Sequence, residues 1–263
     1  MESIRAENLG IAYEKTTIIE ALHMQIPQGK ITALIGPNGS GKSTVLKALG
    51  RILRPQNGSV YLNGKDIRSL STQAVARKMA ILPQCPLAPS GLTVSELVAY
   101  GRFPHQQGFG SHSPEDRRII AWSLAVTGLA AFAGRFVDTL SGGQRQRVWI
   151  AMALAQQTEL ILLDEPTTYL DLSHQLEILE LLGDLNKSQG CTIVMVLHDL
   201  NLAARFADYM IAIRSGAVIC HGVPAAVMVP AMLRDVFQID AQVINEARTG
   251  RPVCITYDLV KSL

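Results

Sequence analysis

A short apolar segment that runs into Gly36-Pro37-Asn38-Gly39-Ser40-Gly41-Lys42-Ser43 constrains this chain more than any other feature. The octet fits G-x-x-x-x-G-K-[ST], with a predicted strand before it (Lys30 to Ile35) and helical spacing after it (Val45, Leu46, Leu49). Glycines let the backbone wrap tightly, so several N–H groups converge on one point. The helix start adds the positive end of its dipole. Lys42 supplies a compact cation for β- and γ-phosphates, and the Ser43 hydroxyl is placed to ligate Mg²⁺. The bland alternative is a glycine-rich turn that matches by accident, and the strand-and-helix context argues against it.

The rest of the chain reads as an α/β protein. Ile4 to Tyr13, Thr16 to Ile26, Ser59 to Leu62 and Met79 to Leu82 are strand-like. Thr93-Val-Ser-Glu96 is a capping box that opens a helix through Tyr100. Ser113-Pro114 starts another, with Asp116 in its first turn, running to about Val126. Gly101 to Ser113 reads as a loop. After Leu140 strands and helices alternate: strand Leu160 to Leu163, a helix capped by Ser173 with Leu176, Leu179, Leu182 and Leu185 on one face, strand Thr192 to Leu197, and a helix capped by Asp199. Tyr209 to Ile213 and Ala217 to Cys220 look like a hairpin around Ser215-Gly216. The expected organisation is an α/β core interrupted by a helical insert from roughly residue 87 to 155. Beyond residue 240 lies a tail, 241–263, in which Val253 to Tyr257 suggests a strand after a turn at Gly250-Arg251-Pro252.

Composition excludes several classes. The 263 residues are 48% hydrophobic and 17% charged, which rules out disorder. A net charge of +2 gives no support for nucleic-acid binding through bulk charge. No run reaches the ~18–20 apolar residues of a membrane span, Ile119 to Gly134 coming nearest, and Met1 to Arg5 opens no signal peptide. The four cysteines, Cys85, Cys191, Cys220 and Cys254, form no CxxC pair and read as free thiols in a reducing compartment.

Two further motifs add chemistry. Leu160 to Leu163 followed by Asp164-Glu165 is a buried strand ending in acids, which sets both carboxylates at the carboxyl edge of a sheet, where the phosphate loop also opens. Asp164 suits Mg²⁺ held through water, and Glu165 suits a base that polarises water for attack on a γ-phosphate. Leu140-Ser141-Gly142-Gly143-Gln144 reads, by itself, as a Ser N-cap and a glycine-rich helix start.

Phosphate loop, LSGGQ and acid pair, in that order, resemble the nucleotide-binding subunit of an ABC transporter. The resemblance covers about residues 1–240 and implies a P-loop NTPase ABC cassette with an N-terminal antiparallel β subdomain and a helical insert. It implies ATP and Mg²⁺ as cofactors, with Gly36, Pro37, Asn38, Gly39, Ser40, Gly41, Lys42, Ser43 and Thr44 on the phosphates. Tyr13 resembles the aromatic that stacks on adenine, Gln84 the Q-loop residue that senses Mg²⁺ and the membrane partner, Asp171 the D-loop acid, and His198 the switch histidine on the γ-phosphate. Singly, each also has a plain reading: Tyr13 as core, Gln84 as a surface amide, His198 as a strand end. In the family the cradle and the LSGGQ helix start face each other across a head-to-tail dimer, so Ser141, Gly142, Gly143 and Gln144 complete the partner's site. The implied partners are a second copy, two permease subunits and, indirectly, a substrate-binding protein; the implied location is the cytoplasmic face of the membrane. Tyr100-Gly-Arg-Phe-Pro-His105 and Thr167-Thr-Tyr-Leu-Asp-Leu-Ser-His-Gln175 resemble ATPases of bacterial ferric-siderophore importers, a branch that shades into haem and cobalamin importers. A soluble ABC ATPase acting on nucleic acid or ribosomes is the rival class; this chain has no coiled-coil or zinc insert and no second cassette. The insert is expected to offer a groove, lined by Gln84 and the following residues, to a helix of the permease; plain core packing of Leu87 to Tyr100 is equally consistent with the residues.

Overall fold

A computed structural model describes residues 2–13, 16–84, 86, 88–106 and 112–260, with the Tyr13 side chain left out. Cys85, Leu87 and residues 261–263, together with part of the 101–113 segment, lie outside the described residues. The chain divides into two compact units, Met1–Ser69 with Thr192–Leu263, and Leu70–Cys191.

The first unit opens with β1 (Glu2–Tyr13), β2 (Thr16–Pro27), β3 (Ile31–Ile35), α1 (Lys42–Leu49), β4 (Asn57–Leu62) and β5 (Lys65–Asp66). β2, β1, β4 and β5 form an antiparallel sheet in that order. Alternating burial along β2 (Leu22, Met24 and Ile26 in; Glu20, His23 and Gln25 out) marks a sheet with one wet face. All five residues of β3 are buried, as a strand covered on both faces requires.

The second unit carries α2 (Thr72–Ala76), β6 (Met79–Leu82), α3 (Val94–Ala99), α4 (Pro114–Val126), α5 (Gly142–Ala155), β7 (Leu160–Leu163) and α6 (Leu172–Gln189). β6 and β7 run parallel, with Leu82 opposite Leu163. The expected capping box, Thr93 with Glu96, is present, and the expected N-cap Ser113 forms a second box with Asp116. Val94, Leu97 and Val98 of α3, Ile120 and Leu124 of α4, and Val148 and Ala151 of α5 close a core among these three helices.

The chain then returns to the first unit with β8 (Thr192–Val196), α7 (Leu200–Phe206), β9 (Tyr209–Arg214), β10 (Ala217–Gly222), α8 (Pro224–Val227), α9 (Pro230–Phe237), β11 (Ile239–Asn245) and β12 (Pro252–Leu259). β3 lies between β8 and β9, parallel to both, and β10 pairs antiparallel to β9. The hairpin turn uses Ser215 (φ 49°) and Gly216 (φ 76°), the left-handed pair a tight hairpin demands.

Three expectations are corrected. The cap of α6 is Asp171, not Ser173: its Oδ1 accepts the His174 N–H at 3.0 Å and the Ser173 hydroxyl at 2.9 Å. Two donors on one carboxylate outcompete a hydroxyl already inside the helix. The 101–113 segment is not wholly loop, since Tyr100–His105 continues α3 as a 3-10 turn. Gly101 lets that turn touch α5, where a Cβ would lie 2.2 Å from the Met152 carbonyl oxygen. The tail is a two-stranded antiparallel sheet rather than a lone strand, because β11 also forms.

The segment around Arg102 is structural. Its Nε meets Asp116 at 2.7 Å and its Nη1 donates to the Ala155 carbonyl at 2.8 Å, with both charged side chains buried. Burial works to raise the Asp116 carboxyl, but hydrogen bonds from Arg102 and Ser113 win and hold it down to about 2. Arg102→Ala leaves that carboxylate buried and uncompensated, so we expect a loss of about 3 kcal/mol, measured by denaturant titration.

Candidate active site

The first unit presents the phosphate loop between β3 and α1. Gly36 (φ 152°) has no room for a side chain: a Cβ there would lie 2.0 Å from the Ile213 carbonyl oxygen. Gly39 and Gly41 are also left-handed, at φ 77° and 99°. Gly41 is the N-cap of α1 and supplies no side-chain cap to its first turn. Lys42 is buried, 5% exposed, and its Nζ donates to the Gly36 and Pro37 carbonyls at 2.9 Å each. The Ser40 Oγ is buried without a hydrogen-bond partner. A glycine loop at a helix start, holding a buried ammonium and an orphaned hydroxyl, fits a polyphosphate. His198 is exposed and lies two residues beyond β8, next to Asp199, whose carboxylate caps α7 through the Leu202 N–H at 2.8 Å. Tyr13 is the last residue of β1, opposite Thr16.

The second unit presents the acids. Asp164 is 3% exposed, and its N–H extends the β6–β7 ladder to the Leu82 carbonyl at 2.9 Å. Glu165 then turns left-handed at φ 53°, a conformation costing about 1 kcal/mol in a residue with a side chain, which takes it out of the line of the strand. Its Oε2 accepts Gln84 Nε2 at 2.5 Å and the Thr168 hydroxyl at 2.9 Å. Sequence spacing gave no sign of the Gln84 contact, across 81 residues. Register explains it: Leu82 opposes Leu163, and Gln84 and Glu165 each lie two residues further on. Asp164 and Gln84 in this unit, and Ser43 in the first, each carry an oxygen of the hard type that Mg²⁺ takes.

Ser141 caps α5 by accepting the Gln144 N–H at 3.3 Å, and the Gln144 side chain returns to the Ser141 N–H at 3.1 Å. These two residues therefore finish their own helix, while Gly142 and Gly143 carry the remaining first-turn donors. A Cβ on Gly143 would meet the His174 ring at 2.9 Å. His174 Nδ1 in turn lies 2.7 Å from Asp171, whose carboxyl is held down to about 2 by the His174 N–H first, then by Ser173 and the His174 ring. His174 is a neighbour that the sequence did not assign to the site, whereas Thr168 opens the D-loop segment that ends at Asp171.

The family model described as "ABC transporter" matches residues 19–168. This chain belongs to the ABC transporter family. The cassette is 63% identical over 262 residues to the iron(3+)-hydroxamate import ATP-binding protein FhuC of Bacillus subtilis, covering 100% of this chain and 97% of that protein. Among solved structures it matches a metal-chelate type ABC transporter in an inward-facing conformation, with TM-score 0.83 and 29% identity over 97% of this chain and 96% of that one. It also matches a dimeric bacterial ABC transporter cassette, with TM-score 0.74 and 32% identity over 84% of this chain and 98% of the other. The fold is that of an ABC cassette P-loop NTPase, and the protein is an ATP-hydrolysing transport ATPase. Among the described residues no helix is long and apolar enough to cross a membrane.

Proposed function

We propose that this cassette powers import of a ferric siderophore through a membrane permease, working as a pair of copies at the cytoplasmic face. The observation that carries the reading is end-to-end identity of 63% to an iron(3+)-hydroxamate import ATPase, on a chain with a complete phosphate loop. A substrate-binding protein would deliver the chelate outside, so cargo chemistry has no place in this subunit.

In this reading the backbone donors of residues 36–44 take the phosphates and Lys42 exchanges its two carbonyl contacts for β- and γ-phosphate oxygens. Ser43, Asp164 and Gln84 would hold Mg²⁺, which supplies charge neutralisation on the phosphates when bound. Glu165 takes the proton of a water whose oxygen attacks the γ-phosphorus, and the bond to the β-phosphate oxygen breaks. The Gln84 and Thr168 donors on Oε2 support this by orienting the carboxylate. Tyr13 stacks on adenine, and His198 contacts the γ-phosphate. The first turn of α5, with Ser141, Gly142 and Gly143 and no acidic residue, suits the triphosphate held by the other copy, with Asp171 and His174 backing that turn.

A permease groove has support in the helical insert. A cavity of about 960 Å³ is lined by Leu92, Tyr100, Phe103, Ile120 and Leu124, with Ser95, Glu96, Gln106, His112 and Arg117 as its polar or charged members; Gln84 is not among its lining residues. Tyr100 and Phe103 stack at 5.0 Å between ring centres. An amphipathic helix with an apolar stripe fits such a lining.

The test is co-purification with the permease and binding protein, then uptake of labelled ferric hydroxamate, ferric catecholate, haem and cobalamin into vesicles. ATP-dependent uptake of a ferric siderophore is expected. Uptake of cobalamin or haem alone would overturn the cargo and leave the motor.

A further inference from the structure

The tail that carries no cassette motif grips the helix behind the switch histidine. α7 has seven residues, too few to be stable by itself in water. The Asn201 side chain binds both backbone groups of one residue of β12: its Oδ1 accepts the Cys254 N–H at 2.8 Å and its Nδ2 donates to the Cys254 carbonyl at 3.0 Å. At the other end Arg251 Nη1 donates to the carbonyls of Ala204 (3.1 Å) and Ala207, where a cation also meets the negative end of the helix. Both ends of α7 are therefore fastened to the β11–β12 hairpin, more than forty residues away in sequence. His198 precedes the helix cap Asp199 and is only three residues from Asn201. On its other side the chain is anchored by the Leu197 N–H on the Leu34 carbonyl at 3.2 Å, at the end of β3.

We propose that Asn201 and Arg251 are positioning residues that hold His198 in register through α7, which makes the C-terminal hairpin part of the hydrolytic apparatus. The proposal rests on the reading of His198 as the γ-phosphate contact. A helix end that shifts by an ångström moves the imidazole by as much, and misplacement on that scale costs up to about 100-fold in rate. ATP binding itself, carried by the phosphate loop, is untouched.

The test is a double-mutant cycle on the full chain, with ATP hydrolysis read in single-turnover mode over hours so that residual rates register. Asn201→Ala is expected to lower the rate about tenfold, with KM for ATP within about twofold of the parent. Arg251→Ala is expected to act in the same direction, with Arg251→Lys retaining more of the rate because a donor to the carbonyls survives. In a His198→Ala background Asn201→Ala should have no further effect. The same fold loss in both backgrounds, or an unchanged rate in Asn201→Ala, overturns the proposal. A full rate in His198→Ala alone overturns the assignment of His198 and the proposal with it, and that single variant tells the two failures apart. A melting temperature for each variant separates loss of position from loss of fold.

Discussion

Replacing Glu165 with Gln is expected to slow ATP hydrolysis by about 100-fold or more while leaving nucleotide binding intact. The amide has the same size and its oxygen still accepts from Gln84 and Thr168, so the left-handed turn after β7 has no reason to change. What it lacks is a site for the water's proton. ATP that binds and is not split should then hold two copies together, so the variant is expected to sediment as a dimer in ATP and as a monomer without it. Phosphate release and sedimentation measured on one preparation check both halves. Normal turnover in this variant would remove Glu165 from the mechanism.

Lys42→Ala is expected to weaken ATP binding by about 10- to 100-fold, the worth of one charge-assisted contact to a phosphate. Lys42 is not a surface cation waiting in solvent. It is buried, with its ammonium on the Gly36 and Pro37 carbonyls, so the loop holds it close to its task. The same buried position gives the variant a cost in stability, and a thermal melt distinguishes that from loss of binding. ATP affinity unchanged in a folded variant would put the nucleotide elsewhere.

What the chain discloses in one dimension is mostly what local backbone chemistry demands. The phosphate loop is legible because left-handed turns at Gly39 and Gly41 favour glycine and the close approach at Gly36 leaves no room for a Cβ. The capping box at Thr93 and the N-cap at Ser113 are legible because each closes within four residues. Asp171 and Ser173 are both competent caps two residues apart, and only the backbone, extended at Asp171, decides between them. Contacts between distant residues stay hidden. Gln84 and Glu165 meet because β6 and β7 pair in one register, and Arg102 meets Asp116 because Gly101 lets a 3-10 turn settle on α5. The β11 segment, Ile-Asp-Ala-Gln-Val-Ile-Asn, is largely exposed and needs little apolar patterning. Strands of that kind announce themselves only through a partner, here β12.

That partner changes the role of the tail. By sequence, residues 241–263 have no evident connection with ATP; in the structure β12 and the turn before it are tied by Asn201 and Arg251 to the helix that starts beside His198. The siderophore-type segments divide in the same way. The one around Arg102 serves packing, whereas Tyr169 in the other is 87% exposed at φ 64°, an aromatic that its own unit does not cover.

Hydrolysis is expected to need two copies, each supplying the first turn of α5 to the other's phosphate loop. The most direct measurement is the rate of phosphate release against chain concentration at saturating ATP. The rate is expected to rise faster than linearly, and activity per chain to fade on dilution. A strictly proportional rate, with full activity per chain at the lowest concentration, would contradict it.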